Sequence, residues 1–331
     1  MDRLLEIEGL TKRFGPITAV DNVSFSVDRG EVLGFLGPNG AGKSTTMKMA
    51  TGYLSPTSGT ITVCGNDVRR HPIEIKRRIG YLPEGAPLYG DMTPHSLLNF
   101  VCDIRQLSRE ARRRGLEHVV EALHLERVLH QPIETLSKGY KRRVGLAQAI
   151  IHDPDVLVLD EPTDGLDPNQ KHEVRDLLDR MSSTKAIIIS THILEEVDAV
   201  CSRAIIISQG RIVADQKPSQ LEERSRYHNA VGIRISADGA DRCVSVLNEI
   251  SGVHSVEQVL QASGLSQLVA FPVNSGDIIA SVRTALDQNG LNVAEMYVEK
   301  GRLEDVFREL TLGDPSGGPA TGAIKEEVDH A

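Results

Sequence analysis

Long apolar runs are missing from this 331-residue chain: the longest, such as AIII and VLVL, stop far short of the ~20 residues that a membrane-spanning helix needs. The opening MDRLLEIEGL has no basic stretch followed by an apolar one, so no secretory signal is read there. Cysteine is scarce as well. Cys64, Cys102, Cys201 and Cys243 stand far apart, with no C-x-x-C or Cys/His cluster, which favours reduced, buried thiols over disulfides or zinc. Excess positive charge is also absent, and the formal net charge of −9 argues against a nucleic-acid binder.

What is present suits a soluble globular protein with a larger and a smaller domain: 40% hydrophobic and 25% charged residues. The charge is uneven. Residues 1–217 hold 28 Lys and Arg against 29 Asp and Glu, whereas residues 218–331 hold 9 against 17, so the acidity belongs to the C-terminal third. Short strand-like runs fill the first ~80 residues, helical spacing takes over between about 85 and 150, and strands return at DVLVLD and twice at AIIIS. Apolar strands alternating with helices imply a parallel sheet covered on both faces. IIISQGRIVA reads as a hairpin around Gln209-Gly210. Residues 218–230 read as a linker opened by a short helix, with Ser219 and Glu222 in capping-box spacing. Residues 231–312 then follow a β-α-β-β-α-β order, the ferredoxin-like pattern, with a last helix, RLEDVFREL, carrying Leu303, Val306, Phe307 and Leu310 on one face. The tail 313–331, rich in Gly, Pro and Glu, reads as disordered.

The first chemical signal is GPNGAGKST after a strand and before a helix, the context that G-x-x-x-x-G-K-[ST] requires. Gly37, Asn39, Gly40, Ala41, Gly42, Lys43, Ser44 and Thr45 are the expected phosphate cradle: backbone N–H groups aimed inward, a lysine for the β- and γ-phosphates, a serine for Mg²⁺. VLVLDEP supplies the partner, delivering Asp160 to the C-terminal end of a buried strand as a Mg²⁺ ligand, with Glu161 next in line to polarise an attacking water. IIISTH brings His192 to another strand end. A lone histidine there is usually solvated, and His192 becomes a γ-phosphate contact and organiser of the base only in this company.

A second phosphate device is out of place in one domain. LSKGYKRRVGLAQAI puts Ser137 and Gly139 at a helix start with four cationic side chains close by, which reads as an anion site a hundred residues after the first.

With GPNGAGKST, LSKGY, VLVLDEP, GLDP and STH in this order, the sequence resembles the ATP-binding subunit of an ABC transporter over roughly residues 1–220, and IGYLPE with LEDVFREL resembles the ABC-2-type and gliding-motility subgroup. The resemblance implies a P-loop ATPase domain over 1–217, a mixed sheet with a helical insertion, plus the small α+β domain. It implies ATP and Mg²⁺, head-to-tail pairing with a second ATPase subunit, a homodimer by default, and integral membrane subunits that hold the chain at the inner face of the cell membrane. Each signature segment, Ser137, Lys138, Gly139 and Tyr140, would then cap the nucleotide of the opposite subunit, with Asp167 at the same seam and Phe14 stacked on adenine, unless Phe14 is a core side chain.

Three positions depart from the family pattern. Glu84 stands where glutamine is usual, and an ionised carboxylate accepts but cannot donate, so altered metal dependence is expected. Lys138 replaces a glycine and Tyr140 a glutamine. The basic stretches 69–78 and 105–114 either meet partner carboxylates or lipid headgroups, or are solvated helix faces. Two rival functions remain at this point: an importer ATPase with a metabolite-sensing C-terminal domain, and a non-transport protein acting on ribosomes or DNA.

Overall fold

A computed structural model describes residues 2–262 and 264–312, and it divides into two compact units between Glu222 and Glu223. The reading of the tail lies outside the described residues.

The first unit begins with long antiparallel strands β1 (Arg3–Phe14) and β2 (Ile17–Asp28), then β3 (Val32–Leu36), α1 (Lys43–Ala50), β4 (Ser58–Val63) and the short β5 (Asn66–Asp67). It continues through α2 (Pro72–Arg78), β6 (Ile79–Leu82), α3 (Pro94–Ile104), α4 (Arg109–Ala122), α5 (Lys138–Ile150) and β7 (Val156–Asp160). Next come α6 (Pro168–Ser182), β8 (Ala186–Thr191), α7 (Leu194–Val200), β9 (Arg203–Ser208), β10 (Arg211–Gln216) and α8 (Pro218–Glu222). An antiparallel sheet has the order β2-β1-β4-β5 and a six-stranded sheet the order β10-β9-β3-β8-β7-β6. The latter is parallel except at its β10 edge, where the expected hairpin turns through Gln209 and Gly210, both with positive φ. β3, β7 and β8 are buried along their whole lengths, as continuous apolar strands of a covered sheet should be.

Helix starts follow side-chain capping. Thr93 and Ser96 form a reciprocal box at α3, and Ser108 accepts the Ala111 N–H at α4. The cap of α8 sits two residues before the expected register: the helix starts at Pro218, and it is Gln220 whose side chain accepts the Lys217 N–H at 3.2 Å.

His152, just past α5, donates from Nε2 to the Ile79 carbonyl at 3.0 Å, and its buried Nδ1 has no partner. Burial, reinforced by the Arg105 cation, pushes its pKa down to about 4 from the ordinary 6.5. The unfolded chain therefore takes up this proton first as pH falls. The stability is fully present above about pH 6.5 and is lost progressively towards pH 4, on the order of 3 kcal/mol. Thermal denaturation across that range is expected to show a steeper decline for the native chain than for His152→Gln.

The second unit holds β11 (Val231–Ser236), α9 (Ala240–Asn248), β12 (Val253–Ala262), β13 (Leu265–Pro272), α10 (Ile279–Gln288), β14 (Val293–Val298) and α11 (Leu303–Leu312). Its antiparallel sheet has the order β12-β13-β11-β14, the split βαβ arrangement. Val231, Ile233 and Ile235 pack with Cys243, Leu247, Val282 and Leu286. Before β11, Tyr227 is buried against Phe271, with the Arg226 and Arg302 guanidinium groups over its ring. In α11, Leu303 and Val306 are buried while Phe307 and Leu310 are half-buried.

Candidate active site

β3 hands the chain to the loop 37–42, which ends in α1. A Cβ at Gly37 would run into the Ile207 carbonyl; one at Gly42, where φ is 108°, would come 2.6 Å from the Ala19 carbonyl. Only glycine allows this turn. No side chain caps the start of α1, so its first N–H groups are open to an anion. Lys43 folds back over the loop, Nζ donating to the carbonyls of Gly37 at 2.7 Å and Pro38 at 3.3 Å, and is only 7% exposed. Burial pulls its pKa down while Glu161, Asp160 and Glu84 pull it up. A cavity of about 350 Å³ opens here, lined by Asn39, Gly40, Gly42, Lys43, Ser44 and Thr45 and by Glu84 and Glu161 across from them. Ala41 is buried behind it.

β7 and β8 bring the acids in. Their parallel register sets Asp160 beside Ser190, and the Glu161 N–H donates to the Ser190 carbonyl at 2.8 Å. Glu161 has φ 51°, an uncommon conformation that turns its side chain away from the strand direction. Its Oε1 lies 2.8 Å from His192 Nδ1, and its Oε2 3.4 Å from the Thr191 hydroxyl. Glu161, 118 positions after Lys43, thus reaches the cavity wall, and His192, 149 positions after Lys43, reaches Glu161, only through strand order.

The signature segment does not join them. Ser137, Lys138, Gly139 and Tyr140 are not among the residues lining this cavity or the larger one beside it. Ser137 instead caps its own helix α5, accepting the Tyr140 N–H, and Asp167 caps α6 by accepting from Gln170 at 2.9 Å. Within one chain the two phosphate devices stay apart.

The pattern defining the ABC transporter family, "ABC transporter", matches residues 20–164. The Nod factor export ATP-binding protein I of Ralstonia nicotianae is 33% identical over 93% of this chain and 94% of its own length. The linearmycin resistance ATP-binding protein LnrL of Bacillus subtilis is 31% identical, covering 93% of this chain and 98% of its own. This chain belongs to the ABC transporter family. A solved ATP-binding subunit of an ABC transporter superposes with a TM-score of 0.63 at 31% identity, spanning 67% of this chain and 92% of that one. As an ABC ATP-binding subunit the chain is an ATPase that uses ATP with Mg²⁺.

The donor set fits the ion. Asp160 is 1% exposed and both its carboxylate oxygens are buried without a partner, an arrangement that is costly unless a cation satisfies it. Asp160, Ser44 and Glu84 line the same cavity of about 1050 Å³. Two carboxylates and a hydroxyl are hard oxygen donors of the kind that Mg²⁺ takes.

Other expectations need correction or sharpening. The four cations of the signature helix do not gather around an anion. Arg142 and Arg143 turn inward, and Lys141 donates to the Glu134 carbonyl at 2.9 Å. Lys138 lies along Gly165, and the Tyr140 ring carries the Arg143 guanidinium 5.7 Å from its centroid. Phe14 is 48% exposed, which removes the core alternative.

Sequence reasoning misses Arg142. Only 5% exposed, it donates to the carbonyls of Asp160 at 2.8 Å, Pro162 at 3.2 Å and Pro83 at 3.4 Å. One guanidinium thereby fixes the backbone on both sides of Glu161 and just before Glu84 to the signature helix. A run of arginines on an amphipathic helix gives no sign of this, because all three acceptors are backbone carbonyls.

Proposed function

We propose that this chain is the motor subunit of an export-type ABC system, working as a head-to-tail homodimer on ABC-2-type membrane subunits. The separation of Ser137–Tyr140 from the phosphate loop in one chain carries this reading: a complete γ-phosphate site needs a second copy. In that pairing Gly37–Thr45 cradle the phosphates, Phe14 stacks on adenine, and Ser44, Asp160 and Glu84 hold Mg²⁺, which neutralises phosphate charge when bound. Glu161 takes the proton of the attacking water, with His192 orienting it. Ser137 and Gly139 of the opposite copy close on the γ-phosphate, flanked by Lys138, Tyr140 and Asp167. Export is favoured by the names of the two full-length relatives, one a Nod factor exporter subunit and one a linearmycin resistance subunit.

No helix among the described residues is long and apolar enough to cross a membrane, so coupling requires partner subunits. Their landing place is the 1050 Å³ cavity next to Glu84, where Tyr53, Tyr89, Phe100 and Ile104 are exposed. Tyr89 and Phe100 meet edge to face at 6.3 Å. A contiguous apolar patch of this kind marks an interaction site. The basic stretch 105–114 is a poorer candidate, because Arg112, Arg113 and Arg114 are engaged with Asp103, Glu117 and Glu110. Placing carboxylates in the groove, Tyr89→Glu with Phe100→Glu, is expected to cut recovery of the chain with membranes bearing its cognate subunits about tenfold or more. Recovery equal to the native chain would rule the groove out.

A further inference from the structure

Behind Glu161 and His192 lies a carboxylate that none of these roles uses. Glu196, on α7, is 4% exposed. Its Oε1 accepts from the Thr163 hydroxyl and faces Lys171 Nζ at 3.5 Å, while its Oε2 accepts from the Thr191 hydroxyl at 3.2 Å. These partners belong to three segments: the loop after Glu161, helix α6, and the end of β8 beside His192. Thr191 is shared, since its Oγ1 also lies 3.4 Å from Glu161 Oε2 and accepts the Ile193 N–H at 3.0 Å. A hydroxyl has one proton, so it goes to one carboxylate or the other.

We propose that Glu196 is a positioning residue for hydrolysis: by accepting the Thr191 hydroxyl's hydrogen bond it keeps Glu161 Oε2 free to take a proton from water. Through Lys171 the same carboxylate ties this arrangement to α6, the helix that Asp167 caps. The inference rests on Glu161 being the general base. Glutamine at position 196 would invert the local pattern. The Oε1 end meets two donors, the Thr163 hydroxyl and the Lys171 ammonium, so an amide keeps its carbonyl there and turns its NH₂ to Thr191. Thr191 then accepts that N–H and redirects its own proton to Glu161 Oε2, which becomes the weaker base.

Glu196→Gln is expected to lower kcat for ATP hydrolysis about tenfold or more, with KM for ATP changed less than about twofold. Adding Thr191→Val deletes the competing proton and is expected to recover most of that loss. Glu161→Gln, measured alongside, tests the base itself, so the failure of either idea is distinguishable from the other. If Glu196→Gln does not accumulate as folded protein, Glu196→Asp carries the same reading. Its shorter carboxylate stays with Thr163 and Lys171 and withdraws from Thr191, so kcat falls and Thr191→Val restores it. Losses that multiply in the double variant, or a KM that rises as kcat falls, would overturn the proposal.

Discussion

Glu161→Gln is expected to reduce steady-state ATP hydrolysis by a factor of about 10² to 10⁴, the usual contribution of a positioned general base. The substitution is nearly isosteric and leaves the backbone bond from residue 161 to the Ser190 carbonyl intact, so the strand end and its positive φ persist. Lost is the base: an amide still meets His192 and accepts hydrogen bonds through its carbonyl but cannot take a proton from water. Lys43, Ser44, Asp160 and the glycine loop are untouched, so ATP still binds. If ATP is gripped by two copies at once, uncleaved nucleotide shifts the population towards the paired state. The variant should therefore elute as a dimer with ATP and Mg²⁺ and as a smaller species without nucleotide. Phosphate release and size-exclusion chromatography read the two effects separately. Retained turnover would remove Glu161 from its role, and monomers under saturating ATP would remove the pairing.

The parts of this site that are legible in the sequence share a property: they depend on backbone conformation over a few contiguous residues. Gly37 and Gly42 occupy positions where a Cβ would strike a carbonyl, so their spacing survives as a pattern. VLVLD is legible because a fully covered parallel strand must be apolar throughout, and the acid at its end then stands out. What is not legible depends on helix phase and on distant partners. Arg142 and Lys141 are neighbours in sequence, yet one turns inward to three carbonyls 18, 20 and 59 positions away and the other turns outward to Glu134. Counting cations near a helix start cannot separate them. Glu196 hides for the same reason, since THILEEVD offers two adjacent acids and only the phase of α7 decides which is buried. The α8 cap fails by two residues because Gln220 can reach back as well as a glutamate can, and Pro218 settles where the helix begins.

Mixing two inactive variants is expected to restore activity, and no arrangement confined to a single chain gives that result. Gly139→Val places a side chain where a Cβ would meet Gln170 Oε1 at 2.5 Å. That atom is the far end of a flexible side chain that can swing aside, so the fold persists while the signature surface is reshaped. Its own phosphate loop is intact. Lys43→Met has the opposite lesion: it removes the buried ammonium facing Glu161, Asp160 and Glu84 and keeps an intact signature segment. Alone, each is expected to hydrolyse ATP at about one-hundredth of the native rate or less, because every site in either homodimer lacks one half. In a mixed dimer the Gly139→Val copy lends its loop and the Lys43→Met copy its signature, which completes one of the two sites. With random assortment of equal amounts and independent sites, roughly a quarter of the native rate should return, since half the dimers are mixed and each carries one whole site. Phosphate release from the mixture, compared with the two separate samples at the same total concentration, makes the measurement. A mixture no faster than their average would mean that each chain serves its own nucleotide, and Ser137 and Gly139 would then need a reason for standing apart from their own chain's phosphate loop.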